Sequence, residues 1–188
     1  MKVLAIYGSP NKKGNSASIS DAIIKGVESA GHFAEKFYLY DLKFSGCTDC
    51  VNADKIHKEN VCIHEDDMRD MLIPKLIQAD AILLSSPIYM GHITGPLKTF
   101  IDRWCTFINS DFTIRHLVNK KFVTVVTSGA PSEQFKNVTE FLDYWLTKFF
   151  KMKNAGQFHE GDLMGKGAIS KQENLLKRAE EFGKNLFE

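Results

Sequence analysis

The sequence has no long hydrophobic run and no excess of charge of one sign. Its 188 residues include 24 Lys and Arg and 23 Asp and Glu, which gives a formal net charge of +1. A balanced charge without a dense basic and aromatic stretch argues against nucleic acid as a partner. No segment approaches the length of a membrane span, and the apolar run at residues 3–7 is too short for a signal peptide. We therefore expect neither a nucleic-acid partner nor a membrane partner.

Cysteine is also scarce, because the chain contains only four: Cys47, Cys50, Cys62 and Cys105. They are too few and too unevenly placed for a disulfide scaffold in a chain of this size. This usage fits a reducing compartment, and we expect a cytoplasmic protein. The hydrophobic fraction of 44% is sufficient for one sizeable core, so residues 1–188 are expected to form a single domain.

A polar loop follows the apolar run at the N-terminus and precedes an amphipathic helix. The loop, residues 8–16, contains two serines, two asparagines and two lysines. These side chains, with the backbone N–H groups at the positive end of a helix dipole, favour an anion. The loop lacks the ending of a Walker loop and the three spaced glycines of a dinucleotide fingerprint. The order of strand, loop and helix indicates a phosphate site, although the same residues also suit a turn and a helix cap.

Short β-rich runs alternate with amphipathic helical patterns along the chain. Helices are predicted near residues 19–30, 65–77, 97–104, 138–149 and 175–186. The predicted strands are residues 3–7, 37–42, 81–85, 122–127 and 155–160. The first, third and fourth strands are continuously apolar, as in a parallel sheet covered by helices, whereas the second suits an edge. The alternation predicts an α/β fold with a doubly wound parallel sheet.

Two residues, Pro74 and Ser170, predict where individual helices begin or bend. Pro74 predicts either a kink in the second helix or the start of a second helical segment there. Ser170 is positioned to cap the last helix, with Glu173 at the spacing of a capping box.

Three loops with similar chemistry follow the apolar strands. They are residues 9–16, 86–92 and 128–131, and each contains serine, glycine and proline. Each loop alone is explained by ordinary turn formation. In a doubly wound sheet, however, ligands bind outside the carboxyl ends of the strands, where the strand order reverses. Three such loops at one edge predict a binding site.

Three motifs, in order along the chain, resemble the NADPH-dependent FMN reductase family of flavodoxin-like proteins. The motifs are Gly8-Ser9-Pro10 with Gly14-Asn15-Ser16, Ala79-Asp80-Ala81 with Ser86-Pro87-Ile88-Tyr89 and Gly91, and Leu97-Lys98 with Phe100-Ile101-Asp102-Arg103. The resemblance spans most of the chain. It implies a flavodoxin-like five-stranded sheet in the order 2-1-3-4-5, one FMN per subunit, and a homodimer or higher homo-oligomer, commonly a dimer with the flavins near its interface.

The resemblance also implies which residues bind FMN. The phosphate would be held by Ser9, Lys12, Gly14, Asn15 and Ser16. The isoalloxazine ring and the upper ribityl chain would lie along Pro87, Ile88, Tyr89, Met90 and Gly91. The third loop would contribute Ser128 and Gly129. Asn11 stands where family members often have a basic residue, so Lys12 or Lys13 would have to compensate.

The activity implied is that of an FMN-dependent oxidoreductase, with NAD(P)H as the co-substrate. The acceptor would be a small molecule such as a quinone, a nitro or azo compound, or free flavin. Because the cofactor carries the chemistry, no catalytic side chain is expected, and His92 is the one candidate proton donor. Residues 106–117 are expected to cover the flavin or to join a partner subunit. A flavodoxin-like electron carrier without its own NAD(P)H turnover, and a scaffold without cofactor, remain alternatives.

The connection between the second strand and the second helix contains Cys47, Cys50 and Cys62. The iron–sulfur flavoproteins related to this family carry a compact four-cysteine cluster site there, but this chain has Ala53 at the position of the third cysteine. We therefore expect no metal, and we expect the thiols to pack as small apolar side chains. A reversible disulfide between the first two, or a zinc site completed by a histidine, stays open. The histidines concerned are His57 and His64.

Overall fold

The protein is built on a parallel sheet of five long strands. This computed structural model describes residues 1–50 and 62–188. The strands are β1 (Lys2–Tyr7), β2 (Phe33–Tyr38), β3 (Ala81–Tyr89), the short β4 (His92–Ile93), β5 (Lys121–Thr127) and β6 (Lys153–Glu160). The sheet order is β2-β1-β3-β5-β6, and β4 pairs only with the end of β3, in the antiparallel direction. The predicted flavodoxin-like order 2-1-3-4-5 is confirmed when β4 is left out of the count.

Helices cover both faces of this sheet. They are α1 (Asn15–Ser29), α2 (Ile73–Gln78), α3 (Gly95–Asp102), α4 (Lys136–Tyr144) and α5 (Glu173–Lys184). A π-helical turn, Met68–Leu72, precedes α2, and Pro74 lies in the first turn of α2, where its missing N–H is tolerated. Of the two alternatives for Pro74, a kink or the start of a second segment, the structure has the second, because α2 begins at Ile73. No helix in the described part of the chain is long and apolar enough to cross a bilayer.

Alternate residues of each central strand enter two separate hydrophobic cores. In β1, Val3 and Ala5 pack with α1 and α5, whereas Leu4 and Ile6 pack with α2 and α3. All four side chains are buried. Burial on both faces explains why these strands are continuously apolar in the sequence.

The helices α1 and α5 pack with their backbones in contact. A Cβ atom on Gly26 would lie 1.9 Å from the carbonyl oxygen of Glu180, and one on Gly183 would lie 1.9 Å from that of Ile23. Neither position has room for any side chain. This packing joins the C-terminal helix to the helix that begins at the polar loop after β1.

The second strand begins four residues earlier than predicted. It runs in register with β1, from Lys2 opposite Phe33 to Tyr7 opposite Tyr38, and the residues after it form a 3₁₀ turn, Leu39–Asp41. This edge strand is polar in its middle because Glu35 pairs with Lys2 and Lys75, at N–O distances of 2.9 and 2.7 Å. The charged residues in the middle of β2 interrupt its apolar pattern, so the sequence did not indicate that the strand begins at Phe33.

The cap predicted for the last helix is wrong. The hydroxyl of Ser170 donates to the carbonyl oxygen of Gly167 at 2.8 Å, inside the 3₁₀ turn Ala168–Lys171. The N-cap of α5 is Gln172, and its side chain forms no capping hydrogen bond. A separate turn therefore stands between Ser170 and the helix that it was expected to cap.

Candidate functional site

A cavity of about 300 Å³ opens at the carboxyl edge of the sheet, where β1, β3 and β5 end. It lies at the point where the strand order reverses between β1 and β3. Nine of the twelve residues predicted to bind a cofactor line it: Ser9, Gly14, Asn15, Ser16, Pro87, Ile88, Tyr89, Ser128 and Gly129. The three predicted residues that do not line it are Lys12, Met90 and Gly91.

One end of the cavity is formed by the loop before α1. Gly14 is the N-cap of α1 and has an extended backbone, and its carbonyl oxygen accepts the first helical hydrogen bond, from the amide of Ser18 at 2.9 Å. The amides of Asn15 and Ser16 therefore have no acceptor within the helix. Together with the helix dipole, these N–H groups form a site suited to a phosphate group.

The side chain of Asn15 is already used within the protein. Its Nδ2 donates to the carbonyl oxygens of Leu163 at 3.1 Å and Gly165 at 3.2 Å, and its Oδ1 accepts the amide of Ile169 at 3.1 Å. Asn15 is therefore available to a ligand through its backbone N–H, whereas its side chain fixes the loop that follows β6.

Lys12 is likewise engaged elsewhere. Its Nζ lies 2.5 Å from a carboxylate oxygen of Asp41 and 4.9 Å from the ring centroid of Tyr38. This lysine holds the 3₁₀ turn after β2 rather than lining the cavity.

The second predicted loop is for the most part not a loop. Pro87, Ile88 and Tyr89 are the last residues of β3, which extends four residues beyond the predicted strand. Met90 and Gly91 form the two-residue turn between β3 and β4, with φ angles of 49° and 82°. Positive φ at both central residues is the mark of a type I′ hairpin turn. The strand therefore carries its three residues along the cavity and leaves the turn at the rim.

Thr94 fixes this hairpin against the first loop. Its hydroxyl donates to the carbonyl oxygen of Gly8 at 2.6 Å, and its amide donates to the hydroxyl of Ser86 at 3.0 Å. A Cβ on Gly8 would lie 2.9 Å from Thr94 Oγ1, so glycine is required for this close approach. One buried threonine thus holds together the end of β3 and the first loop, which form two sides of the cavity.

The third loop packs on the segment after β6, residues 161–167, which we call the β6 loop. The carbonyl oxygen of Ser128 accepts the amide of Leu163 at 3.0 Å, and Asp162 donates its amide to the carbonyl oxygen of Ala130 at 3.1 Å. A Cβ on Gly129 would lie 2.8 Å from the sulfur of Met164. The β6 loop therefore forms the far wall of the cavity.

Sequence reasoning missed five residues that line the cavity: Asn11, Thr127, Leu163, Gly165 and Lys166. The first two adjoin predicted residues. The other three belong to the β6 loop, which contains three glycines within seven residues. That glycine density, directly after a predicted strand, was the available signal.

Next to the first loop, the hydroxyl of Tyr7 is hydrogen-bonded to a carboxylate that also pairs with a lysine. Tyr7, the last residue of β1, donates its hydroxyl to Asp21 at 2.8 Å, and Lys36 pairs with the same carboxylate oxygen at 2.7 Å. Burial, and then the charge of Asp21, raise the pKa of Tyr7 far above its usual range. Tyr7 therefore stays protonated and itself adds no negative charge next to the first loop.

Two further predicted elements do not line the cavity, although His92 pairs with Tyr89, which does. The ring of His92 packs edge-on against that of Phe141, with centroids 5.4 Å apart, and His92 does not line the cavity. In residues 106–117, Ile108 bridges to Ile114, and Ile108 lines a separate apolar groove between α3 and α4.

The cysteines are free thiols gathered near the end of α3. Burial, and then the adjacent Cys47, raise the pKa of Cys105 to about 11. Cys62 accepts a hydrogen bond from the guanidinium of Arg103 at 3.0 Å. Within residues 1–50 and 62–188, no three His, Cys, Asp or Glu side chains are arranged to hold a metal ion. Ala53 and His57 lie outside the described residues, and both ring nitrogens of His64 are hydrogen-bonded to hydroxyls.

The sheet order and the polar cavity at its carboxyl edge define a flavodoxin-like α/β protein. The chain belongs to the NADPH-dependent FMN reductase family, whose sequence pattern matches residues 1–158. It is therefore an oxidoreductase that uses FMN as its cofactor and NAD(P)H as its co-substrate. The family predicted from the three motifs is confirmed.

Individual relatives agree with this assignment. The chain is 30% identical over 190 residues to an iron–sulfur flavoprotein of Archaeoglobus fulgidus, covering 100% of this chain and 80% of the relative. A second iron–sulfur flavoprotein of that organism is 37% identical over 132 residues, covering 69% of this chain and 60% of the relative. The structure of an NAD(P)H:quinone oxidoreductase from Methanothermobacter marburgensis matches with a TM-score of 0.77 at 23% identity, over 100% of this chain and 98% of that one. The structural match supports the fold.

Proposed function

We propose that the cavity at the carboxyl edge of the sheet binds FMN, with the phosphate on the loop before α1 and the ring system along the end of β3. The observation that carries this proposal is that the residues predicted to bind a cofactor come together around one cavity. Nine of the predicted residues come from three segments far apart in the sequence, and they line one cavity. A volume of about 300 Å³ lies within the range of small-molecule sites.

The residues present suit the chemical parts of FMN. The free amides of Asn15 and Ser16 and the hydroxyl of Ser9 offer donors to a phosphate at the positive end of α1. Ile88 and Tyr89 offer an apolar wall to a planar ring, and β3 supplies backbone groups beside it. This polar end and apolar wall face the same cavity.

When bound, FMN supplies the hydride and electron chemistry that links NAD(P)H to an acceptor. The protein's own part is to bind and orient. Tyr89 is 47% exposed at the rim, so the apolar wall remains accessible to a second planar molecule. We therefore propose a small planar acceptor such as a quinone, a nitro or azo compound, or free flavin.

We also propose a homodimer and a cytoplasmic location. The groove between α3 and α4 is lined mainly by apolar side chains, and Trp145 within it is 39% exposed. A second copy of this chain would bury this surface. The free state of all four cysteines supports a reducing compartment. Sedimentation of the wild type and of Trp145→Glu tests the dimer, because the charged variant should sediment as a monomer.

The cofactor proposal is tested first by the absorption spectrum of the purified protein and by chromatography of its heat-released flavin against FMN and riboflavin standards. One FMN per chain, with steady NAD(P)H oxidation in the presence of a quinone, supports the proposal. Bound FMN without NAD(P)H oxidation would favour an electron carrier. A protein that takes up no added FMN would overturn the assignment of the cavity.

A further inference from the structure

An FMN phosphate carries close to two negative charges, and the loop before α1 provides little positive charge to meet them. Asn11 occupies the position where the family resemblance implies a basic residue. Lys12 is paired with Asp41, and neither Lys12 nor Lys13 lines the cavity. Without a further cation, the dianion would be bound only by neutral donors, the backbone amides and the Ser9 hydroxyl, and by the helix dipole.

Among the described residues that line the cavity, Lys166 alone carries a charge. It lies in the β6 loop and is exposed to solvent. Within the described ranges, it forms no salt bridge or side-chain hydrogen bond with another residue. Its ammonium group is therefore free to meet an anion in the cavity.

The β6 loop is held firmly in place at the phosphate end of the cavity. Asn15, the first residue of α1, uses three side-chain hydrogen bonds to fix the backbone at Leu163, Gly165 and Ile169. Leu163 is buried, and a Cβ on Gly161 would lie 2.2 Å from the amide nitrogen of Ser132. The residue that begins the phosphate-binding helix thus also determines where the loop carrying Lys166 lies.

We propose that Lys166 binds the phosphate of FMN, and that Asn15 is the positioning residue that holds the β6 loop so that Lys166 can reach it. This inference rests on the proposed FMN site and identifies how that site selects a phosphorylated flavin. The family sequence pattern ends at residue 158, before this loop. The contact therefore lies in the part of the chain that the family pattern does not describe.

The test compares the dissociation constants of FMN and riboflavin, measured by quenching of flavin fluorescence in the apoprotein. Lys166→Met should weaken FMN binding about tenfold or more, because a charge-assisted contact is lost, and should change riboflavin binding by less than about twofold. The FMN affinity of this variant should also depend less on salt concentration. Lys166→Arg should retain most of the FMN affinity. Lys171→Met, which removes a nearby lysine outside the cavity, is the matched control and should bind both flavins like the wild type.

The role of Asn15 is tested by a double-mutant cycle. Asn15→Ala should weaken FMN binding more than riboflavin binding, and adding Lys166→Met to it should cost less than Lys166→Met costs alone. Two results would overturn the inference while leaving the FMN site standing: FMN affinity that survives Lys166→Met within twofold, or equal losses for FMN and riboflavin. Loss of FMN selectivity in Lys13→Met instead would assign the role to that lysine. A wild-type protein that binds neither flavin would overturn the proposed function itself.

Discussion

Nη1 of Arg103 lies 2.7 Å from Oδ2 of Asp66; the guanidinium is buried, and the carboxylate side chain is 13% exposed. The same guanidinium donates to the carbonyl oxygen of Ser45 at 2.9 Å and to the thiol of Cys62 at 3.0 Å. One side chain at the end of α3 therefore contacts the connection between β2 and the π-helical turn before α2 on both sides of residues 51–61. Arg103 is the last residue of the third motif of the family resemblance. In the structure it fixes this connection through the ion pair and the two hydrogen bonds, an arrangement that we call the Arg103 clamp.

We expect Asp66→Asn to lower the free energy of unfolding by about 3–5 kcal/mol, because it leaves a buried guanidinium without its counter-charge. Urea unfolding followed by circular dichroism measures the change. The control is Glu140→Gln, which breaks the exposed pair of Lys136 and Glu140 and should cost less than about 1 kcal/mol. Equal losses in the two variants would show that the Arg103 clamp contributes no more than a surface pair.

The same carboxylate predicts a pH dependence of stability. Burial by itself would raise the pKa of Asp66, but hydrogen bonds from Arg103 and from the amides of Arg69 and Ser45 outweigh it, and the pKa is lowered. The contribution of Asp66 is therefore fully present above its unfolded pKa of about 3.9 and is lost as the pH falls through the lower folded value. The difference in unfolding free energy between wild type and Asp66→Asn should be constant from pH 7 to 5 and shrink below pH 4. A difference that stays constant down to pH 3 would contradict the lowered pKa.

Backbone contact between α1 and α5 predicts a strong effect of single methyl groups. Gly26→Ala and Gly183→Ala each place a Cβ 1.9 Å from a carbonyl oxygen of the opposite helix, so the helices must separate. We expect each variant to lose about 1–3 kcal/mol or more of unfolding free energy. Gly95→Ala is the control, since a Cβ there meets no atom within 4 Å. Thermal melts of the three variants are sufficient, and an unchanged melting temperature for Gly183→Ala would exclude the tight packing.

The core of this fold was predictable because its strands are buried on both faces. The strands that contain Ile6 and Leu83 have no solvent-exposed face, so their sequences are continuously apolar. These apolar runs predict both the parallel sheet and which strands lie at its centre. The edge strand was misplaced because its pairing partners are charged side chains, as at Glu35. Charge pairing across an edge depends on neighbours that are distant in the sequence, so no local pattern reveals it.

The candidate site likewise has one part that the sequence predicts and another that it does not. The loops after β1 and β5 were predictable because capping and anion binding need serine, asparagine and glycine at fixed places. The part played by the side chain of Asn15 was not predictable, because its three partners lie about 150 residues away in sequence. Lys166 was missed for the same reason: only the folded chain brings the β6 loop to the end of α1.

Cys105 provides a prediction about reactivity. Burial, and then the neighbouring Cys47 thiol, raise its pKa to about 11, so at pH 7.5 it should contain on the order of a hundredfold less thiolate than a free cysteine. We expect iodoacetamide to modify Cys105 slowly, with a rate that rises tenfold per pH unit from pH 7 to 9.5 and reaches no plateau. Peptide mass spectrometry of timed samples measures the rate at this site alone.

Cys47→Ser separates the two causes of this raised pKa. Because burial is the larger cause, Cys105 in this variant should react somewhat faster but still much more slowly than a free cysteine. A rate in the folded wild type that levels off below pH 9 would mean that Cys105 ionises like an exposed thiol. In that case the thiols near α3 could not pack as apolar side chains, and a reactive pair formed by Cys47 and Cys105 would become the better interpretation.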